Sequence, residues 1–162
     1  MAATATILEI YCVKEATGTD LAVLQAVNAS LTPLYPLLGG GFNIKTYVDS
    51  IPSLVATLDW ARSDPDDLYA TTYTGGGLAN SIWPPGGATQ PISQGQAVMN
   101  PNIIIPFVYG VNISLWDYDS ASSDDLLASI QVYEAERTLG VLTKLGRSLV
   151  EGSAYYVRYR VD

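Results

Sequence analysis

Between Leu115 and Leu126 the chain reads Leu-Trp-Asp-Tyr-Asp-Ser-Ala-Ser-Ser-Asp-Asp-Leu. Asp117, Asp119, Asp124 and Asp125 are crowded into one short polar segment between two apolar runs, with no Lys or Arg among them. Clustered carboxylates repel one another unless a cation sits between them. Asp and Ser oxygens suit the flexible, oxygen-rich shell of calcium. A second group, Asp64, Asp66 and Asp67, stands directly before another apolar run. These residues are the candidate metal ligands, and Ca2+ is the expected cofactor.

Other chemistries are poorly supplied. The chain has no histidine, so the commonest general base and transition-metal ligand is missing. Cys12 is the only cysteine and lacks a histidine to activate it; it reads as a small core residue on the first strand. An EF-hand loop needs a central Gly, a terminal Glu and helical flanks. Ala121 and the pair Leu126 and Leu127 do not meet that pattern. The runs Gly75-Gly76-Gly77 and Gly86-Gly87 lack the Lys-Ser/Thr of a phosphate loop and read as turns. Paired carboxylates can hydrolyse glycosides, but here they are packed too densely in one loop for that. Trp60, Trp83, Trp116 and the tyrosines read as strand and core aromatics rather than a sugar platform. The protein is therefore expected to bind rather than catalyse.

Positioning these groups requires a folded core, and the composition provides one. Of 162 residues, 48% are hydrophobic and 15% charged, a balance that argues against disorder. The net charge of −8 repels phosphate backbones, so nucleic acid is not an expected partner. No stretch is long and apolar enough to span a bilayer, and the first residues lack the features of a signal peptide. A soluble chain is expected, cytoplasmic or released without a classical signal.

Alternation over 7–14 predicts a half-buried first strand, with Leu8, Ile10 and Cys12 on one face. Leu21, Leu24, Val27 and Leu31 recur at helical spacing behind Asp20, a plausible N-cap. Ser50 and Pro52 could open a second helix through Leu54, Leu58 and Trp60. These two helices form a predicted insert, about 20–61, packed on a sheet. Beyond Ser63 short apolar runs alternate with Gly, Pro, Asn and Asp. Strands are predicted near 68–73, 81–83, 96–107, 111–116, 126–133 and 154–161. The expected fold class is mainly β: one antiparallel β-sandwich domain over 1–162, with a helical insert after the first strand. Four strand passes separate the two acidic groups. An even number of antiparallel passes returns the chain to the same end, so the groups should face each other there.

Leu115-Trp116-Asp117-Tyr118-Asp119, followed by Asp124-Asp125-Leu126-Leu127, resembles the third calcium-binding loop of C2 domains. Ala128 stands where that family often has Gly. Glu151-Gly152-Ser153-Ala154-Tyr155-Tyr156-Val157 is similar to the closing strand of such domains, and Asp67-Leu68-Tyr69-Ala70 to their second strand, which carries a metal-ligating Asp. The helical stretch has no counterpart in an ordinary C2 domain. The resemblance implies a C2-like sandwich that binds calcium between its loops. Family members commonly use that calcium to dock on anionic phospholipid. Here the loop tip Ser120-Ala121-Ser122-Ser123 offers neither large apolar nor basic residues. The expectation therefore leans toward calcium-supported self-association (a homo-oligomer) or adhesion to a protein partner, with anionic membrane docking as the alternative. Apolar segments at 102–107 and 82–85 could make such contacts, or serve as core strand and rigid loop.

Overall fold

Alternation of buried and half-buried residues carries the first strand over Ala3–Lys14 in a computed structural model that describes residues 2–18, 20–61 and 63–162. In chain order the elements are β1 (Ala3–Lys14), α1 (Leu21–Ser30), β2 (Leu37–Gly39), α2 (Ile44–Asp49), α3 (Pro52–Trp60), β3 (Asp66–Thr71), β4 (Gln90–Ile92), β5 (Ala97–Phe107), β6 (Gly110–Asp117), β7 (Asp125–Tyr133), β8 (Val141–Ser148) and β9 (Ser153–Val161). They form two sheets, ordered β2-β8-β9-β1-β5 and β4-β3-β6-β7. Every strand pair is antiparallel. The molecule is a β-sandwich with a helical insert after its first strand.

The inner faces of the sheets supply the main core. Ile113 and Leu115 enter it from β6, and Tyr155, Val157, Tyr159 and Val161 from β9, as their alternation predicts. Cys12 is buried there as a free thiol. The first strand departs from the expected face. Its register shifts between Ile7 and Glu9, so Ala3, Ala5 and Ile7, then Ile10 and Cys12, point inward. Leu8 is left half-buried, because one extra residue reverses the alternation.

A second core lies on the outer face of the five-stranded sheet. Tyr11, Val13, Ala154 and Tyr156 are covered there by Val27 and Leu31 of α1, Val48 of α2, and Leu54 and Leu58 of α3. Asp20 caps α1 as expected, its Oδ1 accepting the N–H groups of Ala22 at 2.9 Å and Val23 at 3.2 Å. Ser50, expected to open a helix, instead ends α2. The sequence reading missed α2, which is only six residues long and capped by Asn43. Pro52 opens α3 with no side-chain cap.

Three strands were also not anticipated. Of these, β2 and β4 are three residues each, too short for a periodic signal. The third, β8, contains Gly146, where a Cβ would lie 2.9 Å from the Ala128 Cβ and 3.0 Å from the Ser129 amide nitrogen. Close packing on β7 therefore demands a residue of poor strand propensity. The expected strand at 81–83 reduces to one bridge, Trp83 to Ala70. Pro101 and Pro106 are tolerated in β5 because it is an edge strand. Its register with β1 also breaks between Met99 and Ile103, where Asn100 and Asn102 have positive φ.

Leu54 is fully buried between the insert and the sheet. Leu54→Ala is expected to cost about 2–5 kcal/mol in urea unfolding. A cost below about 1 kcal/mol would show that the second core contributes little to holding the fold.

Candidate functional site

Antiparallel pairing brings the two acidic segments together. Leu68 of β3 lies opposite Asp117 of β6, and Asp117 lies opposite Asp125 of β7. Three adjacent strands thus begin or end in carboxylates at one end of the four-stranded sheet. The four passes between the groups are β3, β4, β5 and β6, so the return to one end holds although β4 replaces the expected 81–83 strand. Two backbone hydrogen-bond donors join the segments. The Asp67 N–H donates to Asp117 Oδ1 at 2.6 Å, and the Tyr118 N–H donates to the Asp67 carbonyl at 3.0 Å.

The individual carboxylates have different surroundings. Asp117 is half-buried. Burial raises its carboxyl above the usual range, and the charges of Asp67, Asp125 and Asp119 push the same way, against the opposing Asp67 N–H. Asp125 is raised by burial and then by Asp119 and Asp124. Glu151, on the turn before β9, is raised by burial and then by Asp125 and Asp117. Asp67, Asp117, Asp119, Asp125 and Glu151 therefore share one electrostatic neighbourhood. Among the described residues, no Lys or Arg pairs with any of them.

Asp119 and Asp124 organise the exposed loop from within. Asp119 accepts the Ala121 N–H at 2.7 Å and the Ser122 hydroxyl at 2.5 Å, and these bonds hold its carboxyl below the usual range. Asp124 accepts the Asp119 N–H at 3.2 Å and the Tyr69 hydroxyl at 2.5 Å. The Tyr69 oxygen in turn accepts the Gly77 N–H at 2.8 Å. Tyr69 stacks with Trp116 on the outer face of the sheet, and Trp116 donates to Thr71 Oγ1 at 3.0 Å.

Asp66 and Asp64 stand apart. Asp66 turns inward, 1% exposed. Its carboxylate accepts the Tyr155 hydroxyl and the Ala16 N–H at 3.1 Å. Burial pushes its pKa up to about 7, with the charges of Asp117 and Glu15 adding to that rise and the two donors opposing it. Asp64 is exposed at the start of the turn, and no contact among the described residues ties it to the cluster.

Beneath the loops lies an ion pair that sequence reading missed. Lys14 is 0% and Glu15 2% exposed, and Lys14 Nζ donates to Glu15 Oε1 at 2.7 Å. Burial alone would raise Glu15. The ammonium and the Ser63 N–H outweigh burial and hold it below the usual range. Glu15 Oε2 accepts the Gln94 N–H at 2.7 Å, so one carboxylate ties the end of β1 to the turn before β3 and to the turn before β5. Adjacent Lys and Glu at a strand end resemble any solvated pair in one dimension, and only the covering loops make this one internal. Glu151 was missed for a similar reason, since only the β8–β9 turn brings it to the cluster.

The oxygens available to a cation are therefore those of Asp67, Asp117, Asp119 and Asp125, with Glu151 beside them. As they stand, no three acidic side chains among the described residues converge into a ready ligand shell. The bonds of Asp119 to Ser122 and of Asp117 to Asp67 would have to be shared or exchanged. The donor set itself, all carboxylate in an exposed loop of small residues, fits a hard cation.

No family model matches the sequence, and no curated protein matches it. Among solved structures the chain is similar to human GIVD cytosolic phospholipase A2 in complex with methyl gamma-linolenyl fluorophosphonate inhibitor and terbium chloride, at 15% identity and a TM-score of 0.39. The match spans 99% of this chain and 17% of that one, and at this distance it carries no argument about function. No helix among the described residues is long and apolar enough to cross a membrane.

Folding raises Asp66 from an ordinary 3.8 to about 7. Between those values the folded chain keeps a proton that the unfolded chain has lost. The stability it contributes is full at acid pH and is lost as the pH rises through about 7. Stability is expected to fall by up to about 1.4 kcal/mol per pH unit across that window, and Asp66→Asn is expected to flatten the decline. Urea unfolding of both proteins between about pH 5 and 8 measures this. Coincident slopes would show that Asp66 does not titrate there.

Proposed function

We propose that this protein is a calcium-binding, C2-like module that acts by binding rather than catalysis. The observation that carries the reading is the strand register that brings Asp67, Asp117 and Asp125 to one sheet end, with Asp119 on the adjoining loop, where burial and neighbouring carboxylates raise Asp117 and Asp125. A divalent cation would supply these carboxylates with positive charge that no described Lys or Arg pairs with them to provide. The chain's own part is to hold the carboxylates close, through the Asp67–Asp117 bond and the Tyr69–Asp124 bond. Bound calcium would tie the 118–124 loop to β3 and change the sign of the local field. In this reading the stiffened, neutralised end supports association with a second copy or with a protein partner.

One observation favours the second reading, calcium-dependent docking on anionic phospholipid. The β8–β9 turn exposes Leu149 (63%) and Val150 (75%) directly before Glu151, and Tyr118 is exposed on the acidic loop. Apolar side chains beside a calcium-neutralised acidic tip suit a lipid surface. Within 118–124 only Tyr118 is such a residue, and the neighbouring turn supplies the aliphatic ones.

At a hundredfold excess over its dissociation constant, calcium is expected to raise the melting temperature by about 5–10 °C. The double substitution Asp117→Asn with Asp119→Asn is expected to abolish that rise. A parent melting curve identical with and without calcium would overturn the metal reading. Two further measurements separate the partners. Calcium-dependent sedimentation with phosphatidylserine vesicles, but not phosphatidylcholine vesicles, supports lipid docking, and a calcium-dependent increase in mass by light scattering supports self-association.

A further inference from the structure

One side of β5 has no strand beside it. In the five-stranded sheet β5 ends the order, so only β1 pairs with it. On β1, Thr4 exchanges both backbone hydrogen bonds with Asp162, the residue after β9, at 2.9 Å each. Backbone groups alternate in direction along a strand, so Ala3 and Ala5 turn theirs to β5. Phe107 and Ile105 lie opposite them, and Ile104 and Pro106 therefore turn their backbone groups to the free side. Among the described residues, no other backbone group bonds to Ile104 there. A groove of about 560 Å³ opens at this edge, lined by Ile82, Ile104, Pro106 and Val111.

Folded proteins guard such edges with charges, Pro or a covering segment. Here Pro106 removes one N–H, and charge is missing. From Leu68 to Trp116 there is no Asp, Glu, Lys or Arg. Thr6 and Thr4, opposite Ile104 and Pro106 on β1, are uncharged too. Ile104 is 60% exposed on β5, and Tyr109, on the following turn, is 81% exposed.

Charge and direction select the occupant. Two copies of net charge −8 repel wherever their charged surfaces meet. The uncharged edge lets them approach. Because β6 runs from Gly110 to Asp117, the β5–β6 turn lies at the end of the sandwich away from the acidic loops. Pairing near that turn keeps the two acidic ends apart. An antiparallel strand is also complementary to itself: Ile104 of each copy can donate its N–H to the Ile104 carbonyl of the other. The same register brings Tyr109 of each copy toward the exposed Met99 of the other. Pro106 has no N–H to lengthen the ladder, and the contact occupies the same edge on both copies, so it closes at two. We propose that two copies of this chain join β5 to β5, antiparallel about Ile104, merging their five-stranded sheets without calcium. The proposal rests on the self-association in the reading above and not on its metal.

The test uses the full chain in EDTA and reads mass by sedimentation equilibrium. The parent is expected to pass from 17.3 kDa to twice that mass, with a dissociation constant on the order of 10 μM. Ile104→Lys and Ile104→Glu each set like charges face to face and are expected to weaken the dimer at least about tenfold. Mixed together, these two variants are expected to pair with each other, because position 104 faces itself across the two-fold axis. Ile104→Pro removes the outward N–H and no bond to β1, and is expected to weaken the dimer similarly. Circular dichroism of each variant is expected to match the parent. Asp117→Asn with Asp119→Asn is expected to leave the dimer unchanged, so failure of the metal reading and failure of this one are told apart. A parent that stays at 17.3 kDa up to about 1 mM would overturn the proposal and leave the edge to an unlike strand. A dimer indifferent to the folded Ile104 variants, or no pairing in the mixture, would overturn it as well.

Discussion

The backbone N–H of Asp67 donating to the carboxylate of Asp117 is the hydrogen bond around which the acidic end is organised. It exists because β3 and β6 pair antiparallel, with Leu68 opposite Asp117. That register sends Leu68, Ala70 and Leu115 into the main core. A one-residue slip would turn these apolar side chains outward. The burial of the core therefore fixes the spacing of the carboxylates, and their repulsion is sustained by packing elsewhere in the sandwich.

The same end shows two ways of living with concentrated negative charge. Under the loops, charge is met internally: Lys14 pairs with Glu15, and Asp66 is held by the Tyr155 hydroxyl and the Ala16 amide. In the loops, charge is met among the described residues by amides and hydroxyls, at Asp119 from Ala121 and Ser122 and at Asp124 from Tyr69. The inner groups are sealed and act as structure. The outer ones remain exposed or half-buried, which leaves them open to a cation. The boundary runs between Asp66 and Asp67, where successive strand residues point to opposite faces.

The insert changes the surface of the sandwich. In covering Tyr11, Val13 and Tyr156, the three helices give the five-stranded sheet a core on both faces. The fit is incomplete near the 93–95 turn, and a cleft there combines an apolar floor with an unmatched acceptor. The helices are short, and their strongest legible signals were Asp20 as a cap and Pro52 at a first turn. Six-residue α2 carries too few turns for periodicity to reveal it.

The sequence by itself determined the fold class, the inward faces of β6 and β9, and the crowding of Asp117, Asp119, Asp124 and Asp125. Alternation and local spacing are properties of consecutive residues, so one dimension suffices to read them. It also made the meeting of the two acidic groups derivable, since parity of strand passes needs a count and not the identity of each strand. Only the tertiary structure decided which carboxylates face one another. Asp66 and Asp67 are neighbours in the chain, yet one is sealed against Tyr155 and the other donates its amide to Asp117. The roles of Lys14, Glu15 and Glu151 were likewise set by the loops that come to lie beside them, because burial and Coulomb fields depend on distance in space and not along the chain.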